Sequence, residues 1–166
     1  TLNGVEVEMT KSLDFITKDT SIFTNLFLGV NVAYLNSKVN FKDGNFAQTN
    51  SERALQGASP YIVNVDLTYA KRLSEKVKTT YTLSYNVFGK RIFNVGTFGL
   101  GDIYEMPINT LNFIANVEIG QFNIGVKVKN ILNPLMSYEQ VTDGTPVIVN
   151  SSKIGRFASF SVGYTF

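Results

Sequence analysis

The 166-residue chain contains no cysteine, no histidine and no tryptophan. Without the first two, a cysteine nucleophile, a disulfide framework, a histidine-based triad and a His/Cys metal centre are all excluded within it. Nor does any apolar run reach the ~18 to 20 residues that a membrane-spanning helix needs. The opening Thr-Leu-Asn-Gly lacks a basic stretch followed by an apolar one, so no secretory leader is visible; an exported form is expected to be a processed or partial chain. Charge of one sign is scarce as well. The net charge is +2, and the 15 basic residues are dispersed. One local cluster, Lys71, Arg72, Lys76 and Lys78, is split by Glu75 and reads as a solvated turn rather than a nucleic-acid or anionic-lipid patch. No nucleic-acid partner is expected.

What the chain does have is apolar residues at every second position. With 44% hydrophobic against 17% charged residues it is not a disordered sequence, and its length suits one domain. The clearest stretch runs from Leu111 to Lys129. Folded about Gly120-Gln121, a pair suited to a type II′ turn, it opposes Ile119 to Phe122, Val117 to Ile124, Ala115 to Val126 and Phe113 to Val128. That face is wholly apolar. The other opposes Glu118 to Asn123, Asn116 to Gly125, Ile114 to Lys127 and Asn112 to Lys129, and is mostly wet.

The same alternation predicts a first strand from Gly4 to Phe15, with Lys11 as the one blemish on its apolar face, and a polar turn over 17–21. A second strand carries Leu26 to Tyr34, a third Tyr61 to Tyr69 and a fourth Thr80 to Val87; the hairpin supplies the fifth and sixth, and Phe157 to Phe166 the seventh. Joining them are connections that alternate short and long, the long ones being 36–60, 94–109 and 133–153. No helix, fixed-period repeat or second domain is evident.

Alternation alone leaves open whether the apolar face points inward, as in a soluble sandwich or lipocalin-like barrel, or outward to lipid. Strands of ~9 to 15 residues suit a bilayer crossing, and strict segregation of short turns from long loops suits a transmembrane barrel. Asn, Ser, Thr and Gly on the polar face suit a hydrated lumen, while Tyr and Phe near strand ends suit interfacial girdles, although Trp contributes nothing to them. A basic residue facing lipid at mid-bilayer costs ~2 to 4 kcal/mol, and the apolar faces of strands two to seven are nearly free of charge.

Four ordered segments then carry a resemblance: Arg53-Ala54-Leu55-Gln56-Gly57-Ala58-Ser59-Pro60-Tyr61-Ile62-Val63-Asn64; Tyr85-Asn86-Val87-Phe88-Gly89-Lys90-Arg91-Ile92; Asp102-Ile103-Tyr104-Glu105-Met106-Pro107; and Val128-Lys129-Asn130-Ile131-Leu132-Asn133-Pro134. They resemble the C-terminal barrel strands of TonB-dependent outer-membrane receptors of the Bacteroidota type. The ending Gly163-Tyr164-Thr165-Phe166 is similar to their terminal aromatic assembly signal, placed on Tyr164 and Phe166. Residues 1–166 are thus expected to be an all-β, antiparallel transmembrane segment, about seven strands from the C-terminal part of a barrel of about 22 strands.

The resemblance implies a nutrient importer in the Gram-negative outer membrane. Its partners are then the remaining barrel strands and a plug domain, both outside this chain, the TonB complex reached through that missing part, the lipid bilayer, and in some members a surface lipoprotein lid. With Phe166 on the periplasmic side, the three long connections become extracellular. The non-energised alternative is a ligand-binding or structural β-barrel, soluble or of a small outer-membrane type.

No enzyme motif and no cofactor are expected. Glu6 and Glu8 share a face and read as lumen-lining carboxylates rather than an acid/base pair. Asp102 with Glu105, and Glu139 with Asp143, offer oxygen ligands for Ca²⁺ but without EF-hand spacing, so no metal site is expected. Gly99-Leu100-Gly101 reads as turn chemistry. The ligand-contact candidates are Arg53, Arg91, Asp102, Tyr104, Glu105 and Tyr138, with packing of loops on one another as their alternative role. Asn112, Asn116, Glu118, Lys127 and Lys129 are the lumen-facing set, the two lysines expected to balance Glu118 or acids of a plug.

Overall fold

Period-two patterning dictates strands here, and the computed structural model of the chain describes residues 1–16, 22–41, 48–142 and 144–166. In chain order the strands are β1 (Leu2–Ser12), β2 (Leu26–Ser37), β3 (Val39–Asn40), β4 (Glu52–Arg53), β5 (Tyr61–Ser74), β6 (Val77–Phe88), β7 (Arg91–Asn94), β8 (Ile103–Glu105), β9 (Ile108–Ile119), β10 (Phe122–Lys129), β11 (Met136–Thr142), β12 (Thr145–Ser152) and β13 (Phe157–Tyr164). Only two short 3₁₀ turns, Asp14–Ile16 and Ile22–Asn25, interrupt this all-β pattern among the described residues.

The main sheet has seven antiparallel strands in the order β1-β2-β5-β6-β9-β10-β13, each beside its predecessor in the meander. Its register follows the hydrophobic pattern, as it must when a one-residue slip would turn every side chain to the wrong face. The row Leu28, Leu67, Leu83, Phe113, Val128, Ala158 crosses six strands in direct opposition. On the other face Asn31, Asn64, Asn86 and Thr110 oppose one another. The β9–β10 hairpin pairs as its sequence predicts, from Ile119–Phe122 through Phe113–Val128. Gly120 sits at φ 57°, the left-handed value that a II′ turn demands of its first central residue.

Among the described residues, nothing packs over the apolar face. Val5, Val7, Phe160 and Val162 are each about 60% exposed or more, and Val126 is 38% exposed. Among the described residues, only Ile92 and Ile108 are buried hydrophobic residues. Total accessible surface is 11209 Å², against roughly 8,200 Å² for a compact monomer of this mass. A sheet one layer thick, greased on one side and polar on the other, accounts for the excess.

At one end of the sheet, the turn end, β5–β6 and β9–β10 are joined tightly. At the other, the loop end, the long connections fold into further sheets: β12-β11-β8-β7, and the pair β3-β4. Three differences from the sequence reading follow. The first strand stops at Ser12, because residues 14–16 coil into a 3₁₀ turn instead of carrying Phe15 along the apolar face. The long connections are not plain loops: six further strands form there, β3–β4, β7–β8 and β11–β12 each pairing locally, and β8–β11 tying the second connection to the third. The last strand ends at Tyr164. The polar turn expected over 17–21 lies outside the described residues.

Candidate functional site

The loop-end layer collects five of the six ligand-contact candidates. Pairing of β7 with β8 and of β8 with β11 sets Arg91, Glu105 and Tyr138 in one cross-strand row and Ile92, Tyr104 and Glu139 in the next. Arg91 Nε donates to Glu105 Oε2 at 2.7 Å, and its guanidinium lies 4.3 Å from the centre of the Phe88 ring. Glu105 is buried, and this bond from Arg91 supplies the partner that a buried carboxyl group needs. Asp102, 2% exposed, accepts from the Gly96 amide at 2.7 Å and from Asn50 Nδ2 at 2.9 Å. Lys90 Nζ sits 4.2 Å above the Tyr104 ring. Burial, with the nearby Asp102 carboxylate adding to it, pushes the Tyr104 hydroxyl above its ordinary pKa. The Tyr138 ring packs on Phe93 at 4.6 Å.

Arg53 lies apart, on β4, with its guanidinium 4.9 Å from the Phe41 ring centre. Arg91, Glu105, Asp102 and Lys90 therefore each have a partner within the chain, and the arrangement fastens loops together. No group of three or more potential metal ligands occurs among the described residues. Of the oxygen pairs considered for Ca²⁺, Asp102 and Glu105 are committed to donors of the chain itself, and Asp143 lies outside the described residues. Arg91 borders three cavities. The largest, about 470 Å³, runs between Gly4, Glu6, Leu35 and Ser59; two smaller ones, about 170 and 190 Å³, lie beside Tyr104 and beside Asn86.

No protein family, curated protein or solved structure matches this chain.

The second feature is a ladder of amides across the polar face. Asn31 Nδ2 donates to Glu6 Oε1 (2.6 Å), Asn64 Nδ2 to Asn31 Oδ1 (3.1 Å), Asn86 Nδ2 to Asn64 Oδ1 (2.8 Å) and Asn112 Nδ2 to Asn86 Oδ1 (3.3 Å). The Asn130 amide closes on Asn112 Oδ1 at 3.0 Å, and Asn130 Nδ2 reaches the Gly155 carbonyl at 2.7 Å. The side-chain donors of Asn31, Asn64, Asn86 and Asn112 all point toward β1, so these successive amides polarise one another along the row, whereas Asn130 Nδ2 points the other way. The sequence reading places Asn31, Asn64, Asn86 and Asn112 on the polar face without connecting them; their recurrence on that face of strand after strand is the available signal.

Asn112, Asn116, Glu118 and Lys127 share that face with the ladder, opposite Phe113, Val117 and Val126, and Lys129 continues it. Glu118, however, pairs with Lys78 on β6 at 3.0 Å and not with Lys127 or Lys129. At the turn end the Tyr164 ring meets Phe122 at 5.0 Å and Phe166 at 5.1 Å, and its hydroxyl donates to Gln121 Oε1 at 2.6 Å.

Proposed function

We propose that this chain is a wall segment of a TonB-dependent outer-membrane receptor, an energised nutrient importer. Its exposed apolar face meets lipid and its amide-lined face meets the water-filled lumen. The observation that carries this reading is the continuous apolar face of the seven-stranded sheet, uncovered and without a single acidic residue. A soluble protein rarely leaves more than a few hundred Å² of contiguous apolar surface open.

Dimensions agree with it. The Tyr34–Tyr61 pair at the loop end and the stacked Tyr69 and Tyr81 rings at the turn end bracket the face. Tyr61 and Tyr69 are separated by about 26 Å of strand, or about 20 Å of height at a tilt of about 40°. Outer-membrane barrels carry an apolar band about 25 Å tall between aromatic girdles.

The two edges add a parity argument. Strands β1 and β13 each pair on one side only among the described residues, and lipid cannot satisfy the backbone groups of an open edge. Both run toward the turn end. Antiparallel closure therefore needs an odd number of further strands, which seven from a barrel of about 22 satisfies. Energised import rests on the resemblance of the four ordered segments. On this reading the loop-end layer is extracellular and its cavities around Arg91 border the entrance.

Membrane fractionation of the producing cell is the test. The protein is expected in the outer-membrane fraction, resistant to alkaline extraction and monodisperse only with detergent. Recovery as a monodisperse β-protein in plain buffer overturns the reading.

A further inference from the structure

We propose that Lys11 and Lys71 form a seat for the anionic headgroups of glycerophospholipids at the turn end of the exposed apolar face. This rests on the reading of that face as lipid-facing.

Across the seven strands, the apolar face carries just two charged side chains. Lys11 opposes Leu28 and so heads the row of leucines that continues through Leu67 and Leu83. Lys71, two residues beyond Tyr69 on β5, opposes Thr79. The acids of these strands, Glu6, Glu8, Asp66 and Glu118, alternate onto the opposite face. The face is therefore cationic wherever it is charged, and it is charged at one end only.

Both lysines are exposed. Neither forms an ion pair among the described residues, although Asp14 follows β1 and Glu75 follows β5; Lys11 Nζ merely stands 5.8 Å from the Phe15 ring. Strand spacing and rise put their Cα atoms roughly 16 Å apart. Lys11 is the next-to-last residue of β1, and Lys71 stands near the end of β5, so each lies just before its own turn. Strand tilt carries later strands further before they turn, which brings the two to similar heights at the hydrocarbon edge. There a four-carbon stem lies along apolar surface while the ammonium reaches the headgroup layer. Lys71 thus leaves the solvated cluster to which its sequence neighbours assign it. Arg72 and Lys78, opposed on the other face, remain in it.

Two cations at one rim, without an ion-pair partner among the described residues, complement an anionic phosphodiester headgroup better than a zwitterionic one. One lysine beside an anionic surface contributes about fivefold in binding. The test takes the intact protein, extracted in detergent, and offers it equal amounts of phosphatidylglycerol and phosphatidylcholine, counting retained lipids by native mass spectrometry. Phosphatidylglycerol is expected to be retained preferentially. Lys11→Gln with Lys71→Gln is expected to lower that retention about 25-fold, while Lys11→Arg with Lys71→Arg preserves it, and excess inorganic phosphate leaves it unchanged. Equal retention of both lipids, a glutamine variant that still prefers phosphatidylglycerol, or displacement by inorganic phosphate overturns the proposal and leaves the membrane reading standing. A protein that retains neither lipid and needs no detergent overturns both.

Discussion

Replacing Arg91 by alanine removes the one cation that, among the described residues, pairs with a carboxylate the fold has already buried. Glu105 exposes 8% of its side chain and Arg91 34%, and they meet at 2.7 Å. Removing one partner of a fully buried pair costs about 3 to 5 kcal/mol. Because a third of Arg91 is open to water, screening discounts this to about 2 to 3 kcal/mol. The loss is local, since the pair ties β7 to β8 and not the main sheet to itself. Opening of β8 should therefore become about 30- to 150-fold more frequent. Hydrogen–deuterium exchange at the amides of residues 103–105 and 138–140 reads it directly, with the amides of β9 and β10 as unaffected controls. Glu105→Gln keeps an acceptor for Arg91 and should accelerate exchange only about fivefold, the effect of trading a charge-assisted bond for a neutral one. Unchanged exchange in Arg91→Ala, or a larger effect in Glu105→Gln than in Arg91→Ala, would refute the reasoning.

Three further outcomes are expected. Asn64→Ala breaks the amide ladder at its middle, removing bonds to both Asn31 and Asn86; each is partly solvated, so the loss should be about 1 to 2 kcal/mol in denaturant titration, and Ser84→Ala on the same face should cost much less. Gly96→Ala drives a Cβ into the Leu100 carbonyl oxygen, a backbone atom that cannot swing aside; the Asp102 clasp should open, seen as new proteolytic cleavage in 96–102. Tyr104 has a raised pKa in the folded state, so the native form holds its proton longer than the unfolded chain does. Its contribution is complete below pH about 10 and is lost as pH rises through the folded value. Alkaline titration should loosen the loop sheet in the parent, and Tyr104→Phe should remove that step.

The main sheet is legible in the sequence because its information is local. Period-two patterning chooses the face, and a Gly at the right place fixes the β9–β10 register, so pairs such as Val117–Ile124 follow without any knowledge of the rest. The loop-end layer is not legible, for the opposite reason. Strands as short as Ile103–Glu105 carry no usable period, and this one forms because 91–94, just upstream, and 136–142, from the next connection, flank it. Asp102 reads as a solvent-facing acid until Asn50, 52 positions away, and the Gly96 amide close over it. The ladder is intermediate: each asparagine is assignable to the polar face, but only register shows that Asn31, Asn64 and Asn86 stand side by side. Lys11 was visible as an irregularity, and its meaning needed the second cation on the same face.

Because the chain has no native cysteine, single cysteines can be placed in turn at Phe113, Val126 and Phe160 on one face and at Asn116, Lys127 and Ser159 on the other. Spin labels attached to them in the intact protein in bilayers report contact with lipid-soluble oxygen and with a water-soluble nickel chelate. A lipid-facing apolar surface predicts strict alternation, oxygen contact at the first three positions and chelate contact at the second three. Chelate contact at Phe113, Val126 and Phe160, or no alternation between neighbours such as Val126 and Lys127, would contradict it.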